Sequence, residues 1–391
     1  MHSPRKNQEA CAIPDGVTVL GVQYQSIVSL FSPLRDRVEL SLIHFNDWWN
    51  VWRGRKRADA VGAPPELGWE DWHLPPGWTS RFSPWTMPMI ARRVRRTWRR
   101  RGWINPKLVL TVPYLLPVAR KLGLQRTIYR VVDNYQAYWP DRAKTIARQE
   151  EELVRETCAT VVTSRLLAEW FTERIPSCAH KIHYVPNGIS PSMLREPRAA
   201  LAGPRPLQRQ FPQQFMAKTG PVVGHYATIA PRYGGELLLA LAERLPDFRF
   251  ILMGQVVSGA SAYTETMKAL AEKPNVVMTG YLKEPDSREV LWQCDIMIIP
   301  IPMDDLGRFG CPNRLWTFMA SGRPIVSTSM PEVTQFGDLV YIADDPEAMA
   351  SALVAAAAER DARRIEARVE IAGQHVWPKL ADRMWSIISS H

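Results

Sequence analysis

The sequence predicts an α/β protein built from two doubly wound, Rossmann-like domains, each with a parallel sheet. Three observations support this class. Short apolar strands alternate with amphipathic helices from Val17 to Tyr184, which is typical of parallel sheets with helical crossovers. The alternation then stops in a segment with five prolines, residues 195–221, as expected of a linker. It resumes at Val222 and continues to Thr328, so the second half repeats the plan of the first.

Each predicted strand of the first half is a short run rich in Val, Ile, Leu or Thr. In order, the strands are VTVLGV, VELSLIHF, the start of LVLTVPYLLPVA, TIYRVVD, TVVTS and the start of HYVPNG. IARQEEELVRETC repeats its apolar residues with helical spacing and is predicted as a helix.

The second half gives the same two kinds of element. Its predicted strands are PVVGHYATI, FRFILMG, NVVMTG, DIMIIPI and PIVST. Its predicted helices are LLLALAERL, SREVLWQC, a helix that begins at about Asn313, and a last helix over about 375–391. Two similar halves predict two domains that face each other across a ligand cleft, which lies above the carboxyl ends of the strands.

These patterns place the domain boundaries. We predict an N-terminal domain over residues 1–200 with a Trp- and Arg-rich insertion at about 47–103. A linker at 201–220 leads to a C-terminal domain at 221–374. We expect the last helix, 375–391, to return to the N-terminal domain.

Bulk composition limits the partners of the protein. Of 391 residues, 46% are hydrophobic and 23% are charged, a globular composition. The net charge of +10 favours an anionic partner: nucleotide, phospholipid or nucleic acid. The N-terminus lacks the apolar core of a signal peptide, and no apolar run is long enough to span a bilayer. We therefore predict a cytoplasmic protein, soluble or peripherally bound to a membrane.

The insertion contains two unusual segments. Seven tryptophans lie within residues 47–85 and could either shape a substrate site or insert at a membrane interface. Seven arginines follow between Arg92 and Arg101, and Ile90, Val94 and Trp98 form an apolar stripe at helical spacing.

An apolar stripe bordered by cations is typical of a helix on an anionic membrane surface. Alternatively, the stripe packs on its own domain, or the arginines bind nucleic acid. No nucleic-acid-binding motif is present, so we expect no nucleic-acid partner. The residues predicted to contact a membrane are Arg92, Arg95, Arg96, Trp98, Arg99 and Arg100.

Several loops of the second half suggest a phosphate site. After the strand VVGHY come Ala227 and Thr228, then Arg232, then two glycines that begin a helix. Small residues let a diphosphate approach the backbone, and a helix N-terminus attracts it. Gly254, Gly280 and Tyr281 end the next two strands and could place amides against a base, or could be ordinary turn residues.

Arg314 is the strongest single signal. It lies in the first turn of the helix that begins near Asn313, where the helix dipole favours anions over cations. Pro312 favours a helix start at this point. An anion gripped jointly by Arg314 and the free N–H groups of the helix would explain the position; a plain surface arginine is the alternative.

In the first half, Asp133 follows the strand IYRVV. At the carboxyl end of a strand its carboxylate is well placed to act as a general base, or to cap the next helix. His183 and His225 fit packing positions better than catalytic ones. Asp304 and Asp305 lack a third ligand, so we predict no metal site.

Together these stretches resemble a GT-B glycosyltransferase. VPNGIS is similar to the segment that closes the N-terminal domain in the large retaining group often called family 4. The stretch from GHYATIAPRYGGE to FILMG, then NVVMTGYL, CDIMIIPI and PNRLWTFMASGRPIVST, resemble that fold's C-terminal elements in order. IYRVVDNYQAYW and the EEEL helix are similar to glycosyltransferases of bacterial surface polysaccharides, a group that includes the xanthan glucuronosyltransferase.

The resemblance implies roles for particular residues. Asp133 would activate the acceptor, and Arg314, with Asn313, would hold the diphosphate of the donor. Gly280 and Tyr281 would lie beside the nucleotide base of the donor. The family's two glutamates, eight residues apart, are replaced here by Phe309 and Thr317, so inversion is favoured over retention.

We therefore expect transfer of a sugar from a UDP-sugar or GDP-sugar to a membrane-associated acceptor, such as a lipid-linked oligosaccharide or polysaccharide. No cofactor is expected beyond this donor substrate. A nucleotide-sugar epimerase of the same fold and a membrane-bound scaffold without catalysis are the competing hypotheses.

Overall fold

The structure is a computed structural model that describes residues 13–48, 65–207, 211–229, 233–256 and 261–391. The chain divides into two compact units. The first unit contains the chain up to Thr163, Leu167–Pro186 and Pro378–His391, and the second contains Ser164–Leu166 and Asn187–Trp377. Residues 201–220, predicted as a linker, group with the second unit, where Phe215 is fully buried.

The first unit contains a seven-stranded parallel sheet in the order β3-β2-β1-β4-β5-β6-β7. In chain order the strands are β1 Gly16–Leu20, β2 Glu39–Asp47, β3 Trp69–Leu74, β4 Pro106–Leu110, β5 Thr127–Val131, β6 Ala159–Val162 and β7 Ile182–Tyr184. In the register of the sheet, Val19 lies between Leu42 of β2 and Val109 of β4. The strand order reverses beside β1, which is the switch point of a doubly wound sheet.

The second unit contains a six-stranded parallel sheet in the order β10-β9-β8-β11-β12-β13. Its strands are β8 Val222–Tyr226, β9 Arg249–Met253, β10 Val276–Gly280, β11 Ile296–Ile299, β12 Ile325–Ser327 and β13 Tyr341–Ile342. Both sheets are therefore doubly wound and parallel, and the predicted fold class is confirmed. The switch point of this sheet lies between β8 and β11.

The helices connect the strands and cover the faces of both sheets. Those of the first unit are α1 Gln25–Phe31, α2 Ser83–Arg100, α3 Leu116–Leu122, α4 Tyr135–Tyr138, α5 Ala143–Glu156 and α6 Arg165–Arg174, whose first two residues group with the second unit. Those of the second are α7 Pro197–Leu201, α8 Gln213–Met216, α9 Gly235–Arg244, α10 Ser261–Ala271, α11 Asp286–Leu291, α12 Asp305–Phe309, α13 Asn313–Ser321, α14 Pro331–Thr334, α15 Pro346–Ala357 and α16 Ala362–Gln374. The last helix is α17 Trp377–Ser390, most of which groups with the first unit.

The central strands form because most of their residues are apolar on both faces. Every residue of β1, β4, β5 and β6 is buried, as expected of parallel strands covered on both sides by helices. In the second unit all of β11 is buried and packs against α13 and α15. This two-sided burial explains why a run such as IMII predicts a strand without polar alternation.

The tryptophan-rich insertion adds the edge strand β3, which the sequence analysis did not predict. Trp72 and Leu74 of this strand are buried, so alternate residues point into the core. Of the other tryptophans, Trp78 is also buried, whereas Trp48 and Trp85 are exposed. Trp49 and Trp52 lie outside the described residues.

The arginine-rich segment forms α2, but its apolar stripe does not face a membrane. Ile90, Val94 and Trp98 are buried against the unit, and Trp98 Nε1 donates a hydrogen bond to Thr18 Oγ1 at 2.8 Å. The prediction that Trp98 contacts a membrane is therefore wrong, because packing on the sheet takes up the stripe. The arginines predicted alongside it, Arg92, Arg95, Arg96, Arg99 and Arg100, lie on the exposed side of the helix. Across the described ranges, no helix combines the length and hydropathy needed to cross a bilayer.

Candidate functional site

The loops that follow β8, β9 and β10 meet at the carboxyl edge of the second sheet. The Ala227 N–H donates to the carbonyl oxygen of Met253 at 2.9 Å, and the Gly254 N–H donates to that of Gly280 at 3.0 Å. The structure thus brings together Ala227, Gly254 and Gly280, three residues proposed from sequence. Their main chains form a continuous surface at this edge.

Two glycines permit a close approach of backbone to backbone here. A Cβ on Gly254 would lie 1.6 Å from the carbonyl oxygen of Ala227. Gly234 has a φ of 78°, and its Cβ would lie 1.8 Å from the carbonyl oxygen of Pro300, just past β11. Side chains are excluded at both positions, so the edge offers a narrow, main-chain-lined surface at the switch point. Phosphate groups bind to such surfaces.

Arg314 lies at the start of α13, beside this edge. The residue is 8% exposed, and its guanidinium carbon lies 4.9 Å from the ring centroid of Tyr233. The N-cap of α13 is Pro312, and no side chain caps the helix. Asn313 is exposed and Thr317, one turn further on, is buried. A fixed cation and uncapped helix N–H groups therefore lie at the same point.

The charge of Arg314 acts on its buried neighbour His225. Burial, with the nearby Arg314 as the second cause, lowers the pKa of His225 to about 3. The side chain is fully enclosed in β8, with Nδ1 3.4 Å from the carbonyl oxygen of Ile298. His225 is therefore neutral at physiological pH and packs beneath the site, as the sequence analysis expected.

Asn187 holds the loop that precedes α13. This buried residue of the VPNG segment donates through Nδ2 to the carbonyl oxygen of Cys311 at 3.0 Å. The bond fixes the backbone just before the helix that carries Arg314. The sequence analysis used VPNG only as a resemblance and missed this role, because the partner is more than 120 residues away.

The other residues predicted to contact the donor differ in their exposure. Thr228 is half-buried after β8, and Tyr281 is exposed after β10. Arg232 lies outside the described residues. Asp304 caps α12 by accepting from the N–H groups of Leu306 and Gly307, which gives this acid a structural role.

Asp133 lies at the carboxyl edge of the first sheet, two residues after β5. Its Oδ1 accepts from the N–H of Asn134 at 2.9 Å, and the residue is half-buried. The next helix, α4, is capped instead by Asn134, whose Oδ1 accepts from the N–H of Ala137 at 3.3 Å. Asn134, and not Asp133, therefore caps this helix.

A row of aromatic rings, here called the aromatic wall, lines the same edge. Its members are Phe45, Trp78, Tyr114, Trp139 and Tyr135. Successive ring centroids are 5.0, 5.6, 5.7 and 5.5 Å apart, and Tyr135 stacks on Trp139. The Tyr135 hydroxyl donates to the carbonyl oxygen of Thr111. Since Tyr135 follows Asp133 by two residues, the wall ends beside the candidate base, and Trp78 ties the insertion to it.

A buried carboxyl group supports the α4 segment from below. Glu150 of α5 is 3% exposed and accepts from the Tyr129 hydroxyl at 3.1 Å and from Gln136 Nε2 at 2.9 Å. Burial raises the pKa of Glu150 to about 7 despite these two hydrogen bonds. Gln136 belongs to α4, which begins two residues after Asp133. Glu150 therefore contacts, through Gln136, the helix that follows the candidate general base.

Comparisons with known proteins agree with this arrangement. Residues 220–359 match the family described as glycosyl transferases group 1. TuaH of Bacillus subtilis, provisionally named as a teichuronic acid biosynthesis glycosyltransferase, is 22% identical over 197 residues. That alignment covers 50% of this chain and 46% of TuaH, so it spans about half the length of the relative.

Solved structures match over nearly the whole chain. HepE of Anabaena, solved in complex with UDP and glucose, has a TM-score of 0.68 at 15% identity and covers 97% of this chain and 100% of its own. Sucrose-phosphate synthase of Thermosynechococcus elongatus has a TM-score of 0.69 at 15% identity, over 95% of this chain and 97% of its own. At these identities the likeness establishes the fold.

The sheet orders, the main-chain-lined edge and these matches lead to one assignment. The chain has the GT-B fold, and its residues 220–359 match the family of group 1 glycosyl transferases.

Proposed function

We propose that the protein is a glycosyltransferase that moves a sugar from a nucleoside-diphosphate donor to an acceptor in bacterial surface polysaccharide synthesis. The observation that carries the proposal is the uncapped start of α13, where Arg314 lies beside the glycine-lined edge of the second sheet. The group 1 family match covers this region, and TuaH supports the polysaccharide class.

The second unit would bind the donor. Arg314 and Asn313, with the first N–H groups of α13, would hold the diphosphate and offset the charge that builds on it as it leaves. This arrangement supplies the positive charge without a metal ion or a cofactor. UDP is the first choice of nucleotide because HepE was solved with UDP and UDP-glucose; GDP is the second. The further donor contacts that we propose are Ala227, Thr228, Arg232, Gly254, Gly280, Tyr281 and Thr317.

The first unit would bind the acceptor. Asp133 would take the proton of the acceptor hydroxyl as its oxygen forms a bond to C1 of the sugar and the C1–O bond to the diphosphate breaks. A single displacement of this kind inverts the anomeric carbon. Neither Phe309 nor Thr317 supplies the carboxylate that a retaining enzyme of the family has at those places. In the aromatic wall Trp78, Tyr114 and Tyr135 are buried, while Phe45 and Trp139 are partly exposed; these two offer apolar faces on which a sugar ring can pack.

The acceptor would be a lipid-linked oligosaccharide or polysaccharide at the membrane. The net charge of +10 and the exposed arginines of α2 support this choice, since anionic lipid attracts basic surfaces. The protein would then work in the cytoplasm, peripherally bound to the inner face of the plasma membrane, with no nucleic-acid partner.

The test combines binding with transfer. Calorimetry with UDP and GDP measures donor binding, and radiolabel from UDP-glucose is followed into lipid extracted from bacterial membranes. Asp133→Asn should bind UDP as the unaltered protein does but lose at least 100-fold in transfer. Failure to bind either nucleotide would contradict the proposal, and full transfer by Asp133→Asn would remove that residue from the mechanism.

A further inference from the structure

The exposed face of α2 differs from the stripe on which the sequence analysis relied. We propose that this face is a docking surface for an anionic lipid bilayer, with Trp85 and Met89 entering the interface and the arginines of the helix lying against lipid phosphates. The proposal rests on the proposed function in one respect, since that function places the acceptor at a membrane. The two can nevertheless fail separately.

The face is defined by helical spacing. Trp85, Met89, Arg92, Arg96 and Arg100 follow one another at intervals of three or four residues, so they lie along one side of α2. The buried stripe described above lies on the opposite side. From Trp85 to Arg100 the row extends about 22 Å at 1.5 Å per residue. It is long enough to lie across several lipid headgroups.

The N-terminal end of the row is apolar and exposed to solvent. Trp85 is 70% exposed and Met89 is 48% exposed, and the neighbouring Phe82 is also exposed, with its ring centroid 6.1 Å from that of Trp85. Adjacent large apolar side chains in water mark a contact surface rather than ordinary surface variation. Trp is also the side chain most suited to the membrane interface, because its ring is apolar and its N–H is polar.

The other end of the row is formed by three arginines, Arg92, Arg96 and Arg100. α2 contains no acidic residue, and Arg92–Arg96 and Arg96–Arg100 are like charges four residues apart, an arrangement that destabilises a helix. Among the residues that the structure describes, no side chain forms an ion pair or hydrogen bond with these three arginines. An anionic partner would relieve this repulsion.

A depression beside these arginines is shaped for anionic groups. It has a volume of about 310 Å³ and is lined by Glu70, Arg93, Arg96, Thr97, Arg100 and Arg101. Glu70 accepts from Trp72 Nε1 at 2.8 Å and lies 3.6 Å from Arg93, which packs 3.9 Å from the ring centroid of Trp72. Even with Glu70 counted, the lining carries a clear excess of positive charge. A lipid phosphate fits this chemistry.

The apolar end of α2 lies near the candidate acceptor site. Thr86 Oγ1 donates to the carbonyl oxygen of Trp78 at 2.7 Å, and Trp78 belongs to the aromatic wall. Arg142, just after Trp139, donates through Nη2 to the carbonyl oxygen of Thr79 at 3.2 Å. Insertion of Trp85 would therefore bring the bilayer surface to the edge of the sheet that carries Asp133.

A bilayer explains the face better than a nucleic acid does. Phosphate contacts alone would account for the arginines in either case, but the exposed Trp85 and Met89 continue the same row at one end. A bilayer offers lipid phosphates next to apolar chains. The arginines of the row can contact the phosphates while Trp85 and Met89 contact the apolar chains.

The test is co-sedimentation with vesicles, with no donor or acceptor present. The full-length protein should bind vesicles of phosphatidylcholine with 30% phosphatidylglycerol, and bind pure phosphatidylcholine far more weakly. Arg92→Gln with Arg96→Gln and Arg100→Gln should weaken binding to the anionic vesicles about 100-fold. Trp85→Ala with Met89→Ala should weaken it at least tenfold at unchanged net charge.

A matched control removes three exposed arginines elsewhere: Arg244→Gln, Arg308→Gln and Arg363→Gln. It should bind anionic vesicles within about threefold of the unaltered protein. Three results would overturn the proposal: equal binding to neutral vesicles, an equal loss in the control, or RNA binding by α2 without vesicle binding. UDP affinity measured on the same variants should not change. Vesicle binding with no UDP binding would reject the proposed function and leave the docking surface intact.

Discussion

Arg314 combines its own charge with the positive end of the helix on which it lies. Burial to 8% exposure and the contact with the Tyr233 ring hold the guanidinium in place before any anion arrives. An ordered cation loses less conformational freedom on binding than a mobile one. The position is unfavourable for an empty helix start and favourable once a diphosphate binds there.

Arg314→Gln tests this residue directly. We expect UDP affinity to fall about 10- to 100-fold, since a hydrogen bond to a charged group contributes about 1.5–3 kcal/mol. Arg314→Lys should recover part of the loss because it restores the charge without the forked geometry. The control is Arg308→Gln, an exposed arginine of α12. Equal UDP affinity in Arg314→Gln and Arg308→Gln, measured by calorimetry, would exclude the phosphate role.

Glu150 predicts a pH dependence of stability. Burial raises its pKa to about 7 in the folded state, while the unfolded chain releases the proton near pH 4.5. Between these values the folded state holds more protons than the unfolded state, so stability falls as pH rises from about 4.5 to 7 and levels off above that. The full effect is on the order of 3 kcal/mol.

Urea unfolding at pH 5 and pH 8 measures this effect. From pH 5 to pH 8 the unaltered protein should lose more stability than the variant Glu150→Gln does, because the amide of the variant cannot ionise. Glu151→Gln, an exposed neighbour on the same helix, serves as the control and should follow the unaltered protein. An identical pH dependence in Glu150→Gln would show that the carboxyl group does not titrate as described.

Among individual residues, the sequence identifies only those whose type is unfavourable for their position in a helix or strand. Arg314 is such a residue, because a cation in a first helical turn requires an explanation. Glu150 is not, since nothing in the run EEEL distinguishes it from Glu151. Only α5 packing against the sheet decides which of the glutamates is enclosed.

Among the elements, the turn between β8 and α9 depends on one glycine. Gly234 has a positive φ and no room for a Cβ, whereas Gly337 in the same unit has a φ of 53° and nothing within 4 Å of the Cβ position. Gly337→Ala should therefore cost only backbone strain, about 1–2 kcal/mol.

Gly234→Ala adds a clash with the carbonyl of Pro300, for a total of about 2–5 kcal/mol. It should also weaken UDP binding, because Pro300 lies at the proposed donor edge. The pair is compared by urea unfolding and calorimetry. Equal effects of the two substitutions on stability and on UDP affinity would show that the close approach to Pro300 does not matter.

Helix α2 shows what periodicity can and cannot predict. The spacing of Ile90, Val94 and Trp98 correctly predicts a helix with one apolar stripe. It does not say whether lipid or protein covers that stripe, because both are apolar. For this reason the spacing alone wrongly predicts that Trp98 contacts a membrane. The exposed Trp85 could be distinguished from the buried Trp72 and Trp78 only in the folded chain.

At the scale of the molecule, the alternation of strands with helices along the chain was the most predictable feature. Parallel strands buried on both faces leave continuous apolar runs, and their alternation with helices indicates a doubly wound sheet. Edge strands leave weaker signals, and the structure adds β3 and the short β13, neither of which the sequence predicts. The predicted fold is confirmed by the sheet orders and by the match to HepE.

Two candidate residues on different units give a prediction for the whole chain. A ligand stabilises the state that binds it, by about 2.7 kcal/mol at 100 times its Kd. UDP should therefore raise the unfolding temperature of the unaltered protein and of Asp133→Asn equally, and raise that of Arg314→Gln by half as much or less. Thermal unfolding with and without UDP measures this. Equal stabilisation of all three proteins would show that Arg314 does not hold the nucleotide.

The most direct measurement is a crystal structure of the full chain with UDP. We predict that the diphosphate lies at the N-terminus of α13, within hydrogen-bond distance of the Arg314 guanidinium and of the first N–H groups of the helix. UDP bound at another place on the chain, with that helix start unoccupied, would contradict the proposed donor site.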